Sequence, residues 1–242
     1  MRGRRRGVTA AATAAVLVGV LATGCTPLVM PGDGAGDADT PAAPPAPTAP
    51  VRNVESLAPD GTTVRVGSPR AKTVVALYED LRCPYCEQLE TGSGGDALRR
   101  MVHTGEVRVE YTLASFLDGR LGGHGSEKAA NALRAALEAG RFAEYHDVLY
   151  AHQPEESVDG FSDAFLLEMA SQVKGLRGKE FDAAVTGMRY RGFVTASERA
   201  YETSGAAGTP TVKVNGEGID PLVGNIYDGD TLSTVIRLMA ED

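Results

Sequence analysis

The chain has 242 residues, a formal net charge of −8, 43% hydrophobic and 23% charged residues, three cysteines and no tryptophan. This balance supplies enough apolar side chains for a sizeable core, so it excludes a wholly disordered chain and a miniprotein held together by disulfides. The acidic balance argues against nucleic acid as the main partner. Two of the three cysteines lie in one motif, Cys83-Pro84-Tyr85-Cys86, so the pattern is one pair and one further cysteine.

The first 24 residues have the layout of a targeting segment. Four arginines among the first six residues are followed by an uncharged stretch that ends at Gly24. Small residues precede Cys25, which completes the three-part pattern of a secretory signal. The apolar part, residues 10–22, is short and rich in alanine for a membrane span of about 20 residues. We therefore predict a removable signal peptide at 1–24.

The third cysteine lies at the end of that segment. The run LATGC at 21–25 resembles the lipobox of bacterial lipoproteins, in which the cysteine becomes the lipidated N-terminus. We expect Cys25 to be lipidated; a cleaved signal with an unused thiol and an uncleaved helical anchor are the alternatives. Residues 26–50 are rich in Pro, Gly, Ala and Asp and cannot offset their ordering entropy by burial. Residues 25–50 are thus predicted to be a lipidated cysteine and a linker.

The remaining residues, 51–242, have the size of one domain with an insertion. Alternating and continuous apolar runs predict strands, and a later segment has helical spacing with glycines in its middle. We predict strands at 62–66, 73–78 and 107–113, and a helix from about residue 83 to 103 that is interrupted at 92–95. The domain therefore opens in the order strand, strand, helix, strand.

The second half of the domain is mainly helical. Between Ser126 and Ser204, five successive stripes of apolar residues at helical spacing indicate helices packed into a core. They are followed by a hairpin candidate (211–214, a turn at Asn215-Gly216, a second short strand near Leu222-Val223) and a last helix at about 228–239. This order predicts an α/β sheet with a helical insertion at about 124–204.

The chemistry is predicted at the cysteine pair. A cysteine at the N-terminus of a helix is stabilised as the thiolate by the helix dipole and by unpaired amides. A second cysteine three residues on lies about one turn away and can close an intramolecular disulfide. We expect Cys83 to be the exposed nucleophile and Cys86, deeper in the helix, to be the resolving thiol.

Other interpretations of the pair remain open. The motif could be half of a zinc site, but such a site needs two more ligands, and the four histidines, at 103, 124, 146 and 152, have no paired spacing. The pair could also form a structural disulfide or remain as two buried thiols. Redox activity is the preferred interpretation, with no metal and no cofactor.

Two further sequence runs carry a family resemblance, YEDLRCPYC at 78–86 and GTPTVKVNG at 208–216. Together with the helical insertion, they resemble the DsbA-like branch of the thioredoxin superfamily, in particular secreted actinobacterial thiol:disulfide oxidoreductases. The resemblance covers 51–242 and implies a thioredoxin-like mixed sheet flanked by helices, with an inserted all-helical subdomain. It also implies a cis bond between Thr209 and Pro210, in a loop that lies against the cysteines and binds substrate backbone.

The sequence departs from this family at two places. Many relatives have a buried carboxylate that assists proton transfer six residues before the first cysteine, where this chain has Leu77. Glu79 or Asp80 could take its place, although the simpler expectation is a solvated turn at the end of the strand. Arg82 stands where small thioredoxins have tryptophan, and its charge could lower the pKa of the thiol or simply face solvent. The residues expected to modulate the site are Glu79, Arg82, Pro84 and Tyr85.

Together with the predicted signal peptide and lipidated Cys25, the resemblance implies a lipid-anchored enzyme at the extracytoplasmic face of the membrane. Such an enzyme transfers the Cys83–Cys86 disulfide to unfolded or partly folded exported proteins, and a membrane protein of the DsbB or VKOR type reoxidises it. Two alternatives belong to other classes of protein. One is a reductase or isomerase of the same fold, and the other is a non-catalytic binding or holdase lipoprotein.

Overall fold

The computed structural model describes residues 54–220 and 224–241. The signal peptide expected at 1–24, Cys25 with the linker to residue 50, and the short strand expected near Leu222-Val223 lie outside the described residues. Within the described ranges, no helix is both long and apolar enough to cross a membrane.

A mixed sheet organises the described part of the domain. Its six strands have the order β1-β2-β4-β3-β5-β6. The strands are β1 Val54–Leu57, β2 Val64–Gly67, β3 Thr73–Asp80, β4 Val107–Ala114, β5 Thr211–Val214 and β6 Glu217–Gly218. The central pair, β3 and β4, is parallel, and the other neighbours are antiparallel. This arrangement confirms the predicted mixed sheet.

Helices flank the sheet and fill the long connection between β4 and β5. They are α1 Pro84–Thr91, α2 Ser93–Thr104, α3 Phe116–Leu121, α4 Gly125–Glu138, α5 Phe142–Ala151, α6 Asp163–Ala170, α7 Lys179–Thr186, α8 Arg191–Thr203 and α9 Gly229–Glu241. Six of them, α3 to α8, lie between β4 and β5. The fold is therefore the predicted mixed sheet flanked by helices, with further helices inserted.

The helix predicted at 83–103 is interrupted at Gly92, as the glycines indicate. Gly92 has an extended conformation between α1 and α2. Two residues later, a Cβ atom at Gly94 would clash with the backbone oxygen of Ile226. Glycine therefore permits the close approach of α2 to the segment that precedes α9.

Three parts of the fold differ from the sequence predictions. The edge strand β1 and the short helix α3 were not predicted, since neither has four or more apolar residues at regular spacing. The second strand of the hairpin is Glu217–Gly218, which is nearer to the turn than expected. Asn215 and Gly216 both have positive φ, at 49° and 94°. A two-residue turn of this kind pairs Val214 directly with Glu217.

The inserted helices are attached to the sheet by specific polar contacts as well as by apolar packing. The Glu55 carboxylate of β1 accepts hydrogen bonds from the first two amides of α5, Phe142 N at 2.7 Å and Ala143 N at 3.0 Å. From α8, the buried Ser197 hydroxyl accepts a bond from Leu113 N of β4, at 3.1 Å. These contacts hold the helical insertion beside the end of β3, where the cysteine pair lies.

Candidate active site

The cysteine motif lies where the central strand passes into the first helix. Cys83 is the N-cap residue of α1, with φ −74° and ψ 117°, and Pro84 occupies the first turn. Proline suits this place because the first amide of a helix has no partner within the helix. The Cys83 amide donates to Asp80 O at 2.9 Å, and Cys83 O accepts from Cys86 N at 3.1 Å. A tight turn after β3 therefore places Cys83 at the positive end of α1.

Both cysteines are free thiols, and Cys83 is less exposed than the sequence analysis predicts. The exposed fraction is 5% for Cys83 and 0% for Cys86. The reason is the loop before β5, in which the peptide bond between Thr209 and Pro210 is cis. This loop covers Cys83, whose Sγ donates to Thr209 O at 3.2 Å. The order of accessibility is as expected, but Cys83 is not an exposed residue.

The two thiols have opposite electrostatic environments. A hydrogen bond from Cys86 is the largest influence that lowers the pKa of Cys83, to about 6, against the opposing effect of burial. The side chain of Thr209 and the backbone amides of Cys86 and Tyr85 lower this pKa further. Burial raises the pKa of Cys86 well above its usual value, and the charges of Cys83 and Glu79 raise it further. At neutral pH the pair therefore holds one thiolate and one thiol, which suits attack by Cys83.

Asp80 does not lie in a solvated turn, so that expectation is wrong. Its side chain is fully buried. One carboxylate oxygen accepts from Ser126 Oγ at 2.6 Å and from Arg82 N at 3.0 Å, and the other accepts from Leu117 N at 3.2 Å. Burial raises the pKa of Asp80 to about 7. Asp80 thus joins the end of β3 to α3 and α4.

Glu79 is also fully buried, contrary to the expectation of a solvated turn. Its Oε1 lies 2.5 Å from Nε2 of His146 in α5. The negative charge of Glu79 helps to raise the pKa of Cys86, so the carboxylate acts electrostatically on the deeper of the two thiols. Glu79 and Leu77 lie on the same face of β3, because side chains alternate along a strand. Glu79 therefore places a carboxylate on the same face of β3, two residues after the position where many relatives have theirs and this chain has Leu77.

Arg82 is almost completely buried, with 1% of its surface exposed, so it does not face solvent. Its Nη1 donates to Asp118 Oδ1 and to Gly122 O, both at 2.8 Å, and its Nη2 donates to Glu156 O at 2.9 Å. Asp118 balances the guanidinium charge, and Arg82 is not among the main influences on the pKa of Cys83. The side chain attaches the active-site turn to the helical insertion.

Comparisons with known proteins identify the family. The family model described as thioredoxin matches residues 59–225, which is more than half of the chain. The chain belongs to the thioredoxin family. Two proteins of Mycobacterium tuberculosis have similar structures. The reduced disulfide bond oxidoreductase DsbG is 26% identical, with a TM-score of 0.57 over 72% of this chain and 93% of that one. Reduced DsbA is 25% identical, with a TM-score of 0.57 over 72% of this chain and 99% of that one. Oxidised BdbD of Bacillus subtilis has the same fold, with a TM-score of 0.65 at 19% identity over 81% of this chain and all of that one.

The curated relatives are larger proteins. The chain is 35% identical over 162 residues to the Na(+)/H(+) antiporter NhaA 3 of Salinispora tropica, and 30% identical over 163 residues to NhaA 1 of Salinispora arenicola. Each match covers 65% of this chain but spans only 22% of the relative's length. The similarity to disulfide oxidoreductases of the DsbA type therefore comes from the solved structures, whereas this chain spans less than a quarter of the length of the curated relatives.

Within this thioredoxin-family site, two residues that form hydrogen bonds with the turn around the cysteine motif were not predicted from the sequence. Gln153, just after α5, donates through Nε2 to Leu81 O at 2.7 Å and to Cys83 O at 3.0 Å. Asp118 of α3 accepts a hydrogen bond from the Arg82 guanidinium, and it also accepts hydrogen bonds from backbone amides in the first turn of α4. Both residues act on the motif from more than 30 positions away in the sequence, so no local pattern reveals them.

A groove opens beside the loop that covers Cys83. Its volume is about 570 Å³, and its lining is mostly apolar. The lining includes Pro210, Val212, Ile219, Ile226 and Tyr227. Tyr85 of the motif is 61% exposed. The thiolate therefore lies near apolar surface that an extended polypeptide could contact.

Proposed function

We propose that this chain introduces disulfides into exported proteins by passing on the Cys83–Cys86 disulfide. The observation that carries the proposal is the stabilised Cys83 thiolate, whose pKa is lowered to about 6. A thiolate exists only in the reduced form of the pair, so its stabilisation favours the reduced protein over the disulfide. A disulfide whose reduced form is stabilised is a stronger oxidant. This argument favours an oxidase over a reductase of the same fold.

The reaction consists of two thiol-disulfide exchanges. A substrate thiolate attacks Cys83 Sγ of the protein disulfide, forming a mixed disulfide, and Cys86 leaves as a thiolate that takes up a proton. A second substrate thiolate then attacks the substrate sulfur of the mixed disulfide, and Cys83 leaves as a thiolate. The substrate has then lost two electrons and gained a disulfide, while the Cys83–Cys86 pair has gained those electrons. The low pKa of Cys83 makes it the better leaving group.

The surroundings of Cys83 suit unfolded or partly folded polypeptides. The groove of about 570 Å³ beside Pro210 supplies apolar contacts without a narrow pocket for one side chain. In this proposal, Thr209 and Pro210 bind the backbone of an extended substrate segment, as an added strand would. Backbone binding permits many sequences to use one site. The exposed ring of Tyr85 adds apolar contact beside the thiol.

The proposal includes the place of action and the source of oxidising equivalents. The signal at 1–24 and a lipidated Cys25 would hold the domain at the extracytoplasmic face of the membrane. A membrane protein of the DsbB or VKOR type would take two electrons from the reduced pair and restore the disulfide. If Cys25 is replaced by serine, we expect the protein to leave the membrane fraction. Retention after a high-salt wash would contradict lipid anchoring.

The direct test is stoichiometric oxidation of a protein substrate. Oxidised enzyme is mixed anaerobically with reduced, unfolded ribonuclease, and the remaining substrate thiols are counted by alkylation and mass spectrometry. We expect each enzyme molecule to remove two substrate thiols, and a Cys83→Ala control to remove none. A protein that leaves these thiols intact, but in its reduced form cleaves insulin disulfides, would be a reductase.

A further inference from the structure

A buried cluster of metal-binding side chains lies behind the cysteine pair. It consists of Glu79 from β3, Glu90 from α1 and His146 from α5. One potential ligand atom from each residue lies within 4.8 Å of those from the other two. The exposed fractions are 0% for Glu79, 4% for Glu90 and 1% for His146. Two carboxylates and one imidazole therefore converge in the interior of the domain.

The hydrogen bonding of this cluster is incomplete. Within residues 54–220 and 224–241, Glu79 Oε2 and Glu90 Oε1 are buried and have no hydrogen-bond partner. A buried carboxylate oxygen without a donor or cation is unfavourable, because its lost hydration is not replaced. His146 Nε2 contacts Glu79 Oε1, and Arg99 Nη1 lies 3.5 Å from Glu90 Oε2. The second oxygen of each carboxylate therefore has no hydrogen-bond donor. Each carboxylate thus has an oxygen that could bind a cation without first losing a hydrogen bond.

A cavity extends to one member of the cluster, His146. The cavity has a volume of about 580 Å³ and is lined by His146 and Tyr111. Arg99, His103 and Asp147 also line this cavity, and they are charged or ionisable residues at its wall. An ion with its water can therefore approach His146 without passing the cysteines.

We propose that Glu79, Glu90 and His146 bind a divalent transition-metal ion, for which zinc is the best match. Zinc accepts mixed nitrogen and oxygen ligands and is stable with three protein ligands and one water. Two carboxylates balance its double charge. Calcium requires six to eight oxygen ligands, and magnesium requires six in a rigid octahedron, so one imidazole and two carboxylates suit neither.

The geometry requires only small movements. Zinc bonds to nitrogen and oxygen are about 2.0–2.2 Å long, which places the ligand atoms of a tetrahedral site roughly 3.3–3.6 Å apart. The longest separation in the cluster is no more than 4.8 Å, and the His146–Glu79 contact of 2.5 Å would open by about 1 Å. We expect rotations of the three side chains to supply these shifts. The water on the fourth position would come from the cavity beside His146.

Metal titration of the oxidised protein tests the proposal. With the Cys83–Cys86 disulfide formed, neither thiol can act as a ligand, and the result does not depend on redox activity. Zinc binding is measured by calorimetry, and cobalt is used as a spectroscopic probe of the same site. We expect one ion per chain, and a cobalt complex whose paramagnetically shifted proton resonances show an imidazole ligand.

Variants locate the ion. Glu90→Gln keeps the shape of the side chain and removes its charge, and His146→Gln removes the nitrogen ligand. Since loss of a supporting partner alone lowers metal affinity about 10–100-fold, we expect each of these variants to lose at least about 100-fold. His103→Gln is the matched control, because His103 lines the same cavity but lies outside the cluster. Its affinity should equal that of the unchanged protein.

Three results would overturn the site. They are the absence of stoichiometric binding, a cobalt complex without imidazole signals, and undiminished affinity in a folded Glu90→Gln protein. Circular dichroism establishes folding of each variant, and the cobalt spectrum of the unchanged protein decides the question if both variants unfold. Failure of metal binding would leave the proposed disulfide transfer intact, since that reaction is tested separately on protein thiols.

Discussion

The hydroxyl of Thr209 provides a sharp test of how the Cys83 thiolate is stabilised. Its oxygen is buried without a hydrogen-bond partner among the described residues, while the neighbouring carbonyl accepts the proton of the Cys83 thiol. After the thiol loses its proton, the hydroxyl can donate to the sulfur and lower the pKa of Cys83. Thr209→Val keeps the branched shape and removes only this donor. We therefore expect the pKa of Cys83 to rise in this variant.

The size of the effect follows from the pKa. At pH 7, a thiol with a pKa of about 6 stabilises the reduced protein by about 1.4 kcal/mol, which is about 30 mV for a two-electron couple. A hydrogen bond to a charged acceptor contributes about 1.5–3 kcal/mol, so its loss would raise the pKa by roughly one to two units. The reduction potential at pH 7 should then fall by about 20–30 mV.

The assay is the pH dependence of the reduction potential. The protein is equilibrated in glutathione buffers, and the pair is quantified by alkylation and mass spectrometry, since the chain has no tryptophan whose fluorescence could report the reaction. Each proton taken up on reduction contributes about 30 mV per pH unit, so the slope should change from about −59 to about −30 mV as the pH rises through the pKa of Cys83. This change is expected near pH 6 in the unchanged protein, and one to two units higher in Thr209→Val.

A matched variant separates the hydroxyl from general disturbance of the loop. The hydroxyl of Thr211, two residues later, donates instead to Gly208 O at 2.7 Å. In Thr211→Val, the change in slope of the reduction potential should therefore remain near pH 6. Equal shifts in both variants would mean that loop packing is responsible. A slope of about −59 mV per unit up to pH 8 in the unchanged protein would refute the low pKa of Cys83 and the argument for an oxidase.

Three further predictions concern the thiols and the supports around them. Cys86→Ala should accumulate mixed disulfides with Cys83 on non-reducing gels, because no resolving thiol remains, whereas Cys83→Ala should trap almost none; equal trapping would contradict the assigned roles. Arg82→Met should lower the free energy of unfolding by about 3–5 kcal/mol in urea titrations, since Asp118 would keep a buried charge without its partner, and a loss below about 1 kcal/mol would contradict this. Gly94→Ala should lower the melting temperature, because the added Cβ would clash with the backbone that precedes α9, and such overpacking typically costs about 1–3 kcal/mol. An unchanged melting temperature would show that this segment shifts without cost.

The elements that were predicted well are those whose signals are local. The apolar run that forms β3, the helical stripes of the insertion and the Asn215-Gly216 turn each depend on residues within a few positions of one another. The placement of Cys83 at the start of a helix is local too, since the motif follows a strand and contains a proline suited to the first turn. Fold class and the candidate thiol pair could therefore be predicted from the amino-acid sequence.

The environments of the charged residues required the tertiary structure. Glu79, Asp80 and Arg82 stand together at the end of a strand, where charged residues are ordinarily solvated. They are buried because partners from the inserted helices reach them: His146 binds Glu79, and Asp118 binds Arg82. Since these partners lie 67 and 36 positions away in the sequence, periodicity cannot reveal them.

The same reasoning applies to the cysteine pair. A favoured thiolate at the N-terminus of α1 could be predicted from the sequence, because the helix dipole and free amides act within one turn. The near-complete burial of Cys83 could not, since Thr209, which contacts its sulfur, lies 126 positions later in the chain. The tertiary structure also brought Glu90 beside Glu79 and His146 by packing three separate elements together. The chemistry of a short motif can be predicted from neighbouring residues, whereas burial and charge pairing depend on which distant segments of the chain come into contact.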